Sequence, residues 1–76
     1  MGTSYAARPV SGPFERLGEL TQRVAAEYGE MPGLSLTLPQ AARLWGLDRQ
    51  TCGAVFHVLS QRGVLRRTPH GRYIRM

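Results

Sequence analysis

All of the positive charge in this 76-residue chain is carried by ten arginines, with no lysine, and their placement is uneven. Residues 1–34 hold Arg8, Arg16 and Arg23 against four glutamates, a net of −1. Residues 35–76 hold seven arginines against Asp48 alone, a net of +6. From Arg62 onward there are five arginines and no acid. A guanidinium offers a rigid fork of N–H donors matched to phosphate and carboxylate oxygens, so this clustering points to a polyanionic partner. Within the basic half, Arg49 and Gln50 are the side chains suited to reading base edges: arginine pairs with guanine O6/N7 and glutamine with adenine N6/N7. His57, two turns further on, is able to donate to or accept from a phosphate or a base.

Other chemistries lack their parts. A metal centre needs three or four ligands, and His57 and His70 are the only histidines. Cys52 and His57 are five positions apart, off the i, i+4 spacing that sets two ligands on one helix face. Asp48 is placed to cap a helix, and the glutamates fall in or just after the first helix. No acid, base and nucleophile converge, so neither an enzyme nor a bound cofactor nor a small-molecule ligand is expected. Cys52 is the single cysteine, which excludes an internal disulfide framework. On an apolar helix stripe it acts as a small hydrophobe.

These residues must be positioned by a small set of elements. A chain of this length supports one domain, which buries only roughly 60% of its unfolded surface. Residues 1–12 contain Arg8-Pro9 and Ser11-Gly12-Pro13 and read as a flexible N-terminal arm. A domain is expected over 13–76. Pro13 suits a first helical position, with Gly12 as its cap and Glu15 in the first turn. The helix at about 13–28 then presents Phe14, Leu17, Leu20, Val24 and Tyr28 on one face. Leu34, Leu36 and Leu38 alternate with Ser35 and Thr37, the period of a short half-buried strand. Thr37 and Gln40 form a T-x-x-Q capping box for a second helix at about 38–45, which contributes Ala41 or Ala42, Leu44 and Trp45 to the core. Gly46 ends that helix, Leu47 follows as an apolar plug, and Asp48 caps a third helix at about 49–62. Cys52, Val55, Phe56 and Leu59 form its inward stripe, and Gly63 stops it. Its outward face is Arg49, Gln50, Gly53, Ala54, His57 and Gln61. Val64 to Arg75 reads as a hairpin turning through Pro69-His70-Gly71.

The second and third helices, joined by a short glycine-containing turn, make a helix-turn-helix pattern. With the strand and hairpin added, the order from about Phe14 to Arg75 resembles the winged helix-turn-helix DNA-binding domains of small bacterial proteins. The resemblance is sharpest over Gln40 to Leu59, QAARLWGLDRQTCGAVFHVL. There Ala42 resembles the small residue that lets two helices cross closely, and Gly46 the turn glycine. Leu47, Cys52 and Val55 resemble the apolar positions that lock the unit together. The segment QRGVLRRTPHGRYIR is similar to the end of a recognition helix followed by a wing.

That resemblance implies an α+β winged helix, a three-helix core with a C-terminal two-stranded β-hairpin wing. It implies double-stranded DNA as partner and a role as a small transcriptional regulator or accessory factor in the cytoplasm. The third helix would enter the major groove with Arg49, Gln50, Gly53, Ala54 and His57 toward the bases. Arg66, Arg67 and Arg72 would hold phosphates or enter the adjacent minor groove from the wing. The amides at Leu38–Gln40 would favour a further phosphate. Ala54 stands where such domains often carry arginine, and the Gly53-Ala54 pair suits close approach to a groove as well as docking on a protein. The alternative is therefore a winged helix used as a protein-protein interaction or dimerisation module. A homodimer through the arm and first helix, or a partner protein, is expected to supply a second half-site contact. No apolar run approaches the ~18 residues of a membrane span, so no membrane association is expected.

Overall fold

The computed structural model describes residues 13–76, with side chains from Arg16 onward. The expected arm, the Gly12 cap and the side chains of Phe14 and Glu15 lie outside the described residues. The chain forms α1 (Pro13–Glu30), β1 (Ser35–Leu36), α2 (Leu38–Trp45), α3 (Arg49–Gln61), β2 (Leu65–Arg67) and β3 (Tyr73–Arg75). The class is α+β, as expected.

Each boundary has a local cause. The Thr37 hydroxyl accepts from the Gln40 amide at 3.3 Å while the Gln40 side chain accepts from the Thr37 amide at 2.9 Å. This reciprocal box satisfies two amides at the start of α2 that have no partner within the helix. It also ends the strand early: the Leu/Ser/Thr alternation runs to Leu38, yet Thr37 is already the cap and Leu38 the first helical residue. At the other end Gly46 takes φ 65°, and the Gly46 and Leu47 amides both donate to the Ala42 carbonyl. Beyond α3 the Gly63 amide donates to the Ser60 carbonyl at 3.1 Å and the Val64 amide to the Leu59 carbonyl at 2.9 Å. With Gly63 at φ 75°, this is the paired closure of a Schellman motif.

The expected C-terminal hairpin forms from β2 and β3, and β1 adds to it, giving a three-stranded antiparallel sheet of order β1-β3-β2. Ser35 pairs with Ile74 and Leu36 with Tyr73, while Leu65, Arg66 and Arg67 pair with Arg75, Ile74 and Tyr73. The short strand between α1 and α2 has backbone groups to satisfy, and the free edge of β3 supplies their partners. The hairpin closes through a Gly71 amide bond to the Thr68 carbonyl at 3.0 Å, with Gly71 at φ 79°.

The core is Val24, Tyr28, Ala41, Cys52, Val55, Phe56, Leu59 and Leu65. Leu17, Leu20, Trp45 and Leu47, all expected inside, are partly buried against it. Phe56 is its aromatic centre, edge-on to Tyr73 at 4.8 Å and to Tyr28 at 6.3 Å, and tilted against Trp45 at 6.2 Å. Two side chains depart from expectation. Leu44 is 56% exposed, because the short α2 turns Leu38, Ala41, Ala42 and Trp45 inward and position 44 lies about a third of a turn off that axis. Thr21 is buried, made tolerable by its hydroxyl donating to the Leu17 carbonyl at 2.6 Å.

Candidate nucleic-acid interface

Asp48 sets the start of α3. Its carboxylate accepts from the Thr51 amide at 2.7 Å and from the Thr51 hydroxyl at 3.0 Å. Those bonds, the amide first, hold its carboxyl below the usual aspartate range. The only acid of the basic half is thus committed to a helix cap.

With Cys52, Val55, Phe56 and Leu59 turned inward, the helical period leaves Gln50, Ala54, His57 and Gln61 diametrically outward. Arg49, Gln50, Ala54 and His57 are exposed and Gly53 is half-buried on the flank. His57 Nε2 and the Gln61 side-chain nitrogen lie 3.3 Å apart, one turn along the helix. With the imidazole proton on Nδ1, Gln61 donates to Nε2. A side chain at Gly53 would meet no other atom within 4 Å. Internal packing therefore does not require glycine there, although glycine costs a helix interior about 1 kcal/mol relative to alanine.

The hairpin arginines are exposed, as expected, but they do not share one face. Successive strand residues point to opposite sides. Tyr73 contacts Phe56, so its side of the sheet faces the helices. Leu36, Leu65 and Arg67 belong to that inner face by register, and Ser35, Ile74 and Arg66 to the outer one. Arg72, one residue before β3, donates from Nη1 to the Ser35 carbonyl at 3.1 Å. Nothing in the residue spacing announces that bond, which joins positions 37 apart.

Two further groups bear on chemistry. Cys52 is fully buried, and its thiol points to the Leu38 carbonyl at 3.8 Å. Burial first, and the Asp48 carboxylate second, push the thiol above its ordinary pKa, away from the reactive thiolate. Among the described residues no three His, Cys, Asp or Glu side chains come together in a metal-binding group. No helix among them is long and apolar enough to cross a membrane. No protein-family model, curated protein or solved structure matches this chain.

Proposed function

We propose that this chain is a winged-helix protein that binds double-stranded DNA, a small transcriptional regulator or accessory factor. In this reading α2 and α3 are the helix-turn-helix and the hairpin is the wing. The carrying observation is the pairing of an exposed α3 face that begins at Gln50, with Arg49 exposed beside it at the helix start, with an acid-free hairpin whose arginines are all exposed. Asp48, the one carboxylate nearby, is engaged by Thr51. Arg49 and Gln50 are the base readers, His57 a base or phosphate contact, and Gly53 and Ala54 allow close approach. The wing supplies the sequence-independent attraction to phosphates.

An anisotropy titration of the full chain against a random duplex at two salt concentrations tests this. Binding that weakens steeply with salt supports it, since each neutralised phosphate releases counterions. Affinity no greater than that of an unrelated arginine peptide would refute it. The second reading, a protein-docking module, draws on the uncharged centre of the α3 face at Gln50, Ala54 and Gln61. It would gain from a tight protein complex that duplex DNA does not compete away.

A further inference from the structure

Three of the four hairpin arginines, Arg66, Arg67 and Arg72, are distinguishable by what surrounds them, while the fourth, Arg75, ends β3 opposite Leu65 on the same face as Arg67. Arg67 ends β2 on the sheet face that meets α3, since it pairs with Tyr73 and Tyr73 packs on Phe56. It is exposed, and its guanidinium reaches the turn: a Cβ built on Gly71 would lie 3.6 Å from Arg67 Nη2. No acid occurs in residues 49–76 to neutralise it. Arg66 points the other way, onto the outer face with Ile74 and Ser35. Arg72 is tied down. Its side chain donates to the Ser35 carbonyl at 3.1 Å. Its amide donates to the Thr68 hydroxyl at 3.2 Å, and its carbonyl accepts from the Thr68 amide at 2.7 Å. One guanidinium thereby links the neck of the hairpin to the strand that leads into α2.

We propose that Arg67 is the hairpin's contact with the polyanion and that Arg72 is a positioning residue, a latch setting the angle of the hairpin to the body of the domain. Arg66 takes neither part. The inference rests on the duplex-binding reading above. Arg66 and Arg67 face opposite ways, so a duplex laid against one face of the hairpin meets only one of them. Arg67 lies exposed at the end of the sheet face that packs on α3, so of the two it is the one on α3's side of the hairpin. Arg72 keeps its charge, but moving its fork to a phosphate would release the Ser35 carbonyl and loosen the turn end of the hairpin, beyond the β1–β3 pairing.

The test is a salt series of duplex binding with the full chain and its Arg66→Ala, Arg67→Ala, Arg72→Ala and Arg72→Lys variants. It is joined to amide exchange and the Ser35 carbonyl resonance in the free proteins. Arg67→Ala should lower the slope of log K against log salt by about 0.9, the value of one phosphate contact. Arg66→Ala should leave the slope unchanged. Arg72→Ala should also leave it unchanged, while weakening binding by up to about tenfold, speeding exchange at Thr68 and Gly71 and moving the Ser35 resonance. Arg72→Lys, which keeps a long donor, should restore all three. An Arg66→Ala slope loss equal to that of Arg67→Ala overturns the proposal with the duplex reading intact. So does a full-charge slope loss in Arg72→Ala with hairpin exchange unmoved. If the wild-type chain has no duplex affinity, the functional reading fails and the Arg67 role with it. The latch then stands or falls on the exchange and resonance data alone.

Discussion

The two faces of the three-stranded sheet are built from opposite materials, although every strand contributes to both. The inner face sets Leu36, Leu65 and Tyr73 against the helices, and its centre is fastened by the buried Tyr28 phenol donating to the Tyr73 carbonyl at 2.8 Å. The outer face carries Ser35, Ile74 and Arg66, with the Arg72 guanidinium bonded across an exposed surface to the Ser35 carbonyl. Both fastenings join a side chain to a backbone carbonyl across much of the chain. Their energetic weight differs because water competes for one and not the other. The inner face should therefore govern whether the domain folds. The outer one should govern the pose in which the hairpin is held.

The largest expected effect lies on the inner side. Phe56→Ala should cost about 3–5 kcal/mol and Leu65→Ala about 2–5 kcal/mol, read from denaturant unfolding. Losses of that size are comparable with the stability of so small a domain. A cost below about 1 kcal/mol at both positions would break the comparison. Next comes Tyr28→Phe, which removes the phenol and strips the Tyr73 carbonyl of that donor, at about 1–3 kcal/mol. The same phenol gives a pH signature. Burial, with a smaller push from Cys52, raises its pKa from 10.0 to about 12. Its contribution is complete below pH 10.0, where the phenol is protonated in both states, and is lost as pH rises through about 12. Stability of the wild type should thus fall over that alkaline interval more steeply than that of Tyr28→Phe. Parallel profiles would remove Tyr28 as the cause.

Smaller effects sharpen the contrast. Thr37→Ala, which breaks the capping box where β1 passes into α2, should cost about 0.5–2 kcal/mol. Gly53→Ala, on an α3 surface with no neighbour to collide with, should stabilise the fold by about 0.5–1 kcal/mol while weakening duplex binding. Improved stability with unchanged binding would take Gly53 out of the interface. Arg66→Ala, at the outer end of the series, should stay within about 0.5 kcal/mol of wild type.

Signals confined to a few residues read through to the structure. The Thr37–Gln40 box, the left-handed glycines at 46, 63 and 71, and the inward stripe of α3 all stand where spacing placed them. What spacing missed depends on residues far apart in the chain. The pairing of Ser35 and Leu36 with β3 follows from the sheet edge that the hairpin leaves open, which no local window contains. Leu44 was expected inside because it is apolar, but the orientation of a two-turn helix is decided by its neighbours. Thr21 is polar, and only its back-bond to Leu17 makes it acceptable in the core. The candidate site shows the same division. Exposure of Gln50, Ala54 and His57 follows from helical period alone, whereas Arg49 lies by period beside the inward stripe and is exposed at the first position of the helix. The separation of Arg66 from Arg67 and the tethering of Arg72 require the sheet register.

The middle position of β3 also orders the steps by which the chain assembles. Strands β2 and β3 meet by closing a turn whose clasping residues, Thr68 and Arg72, are 4 apart. Strand β1 reaches β3 only across the 37 positions between Ser35 and Arg72. Loop-closure entropy grows by about 0.6 kcal/mol per doubling, so the second closure starts roughly 2 kcal/mol behind the first. On loop-closure entropy the hairpin is expected to close before β1 joins it, with the Tyr28 and Arg72 fastenings forming late. Substitutions at those two residues should appear on the unfolding limb of a chevron plot, with the refolding rate nearly untouched. The bonds that tie the hairpin to α1 and to β1 would then act as late locks, which set how long the folded domain lasts rather than how fast it is reached.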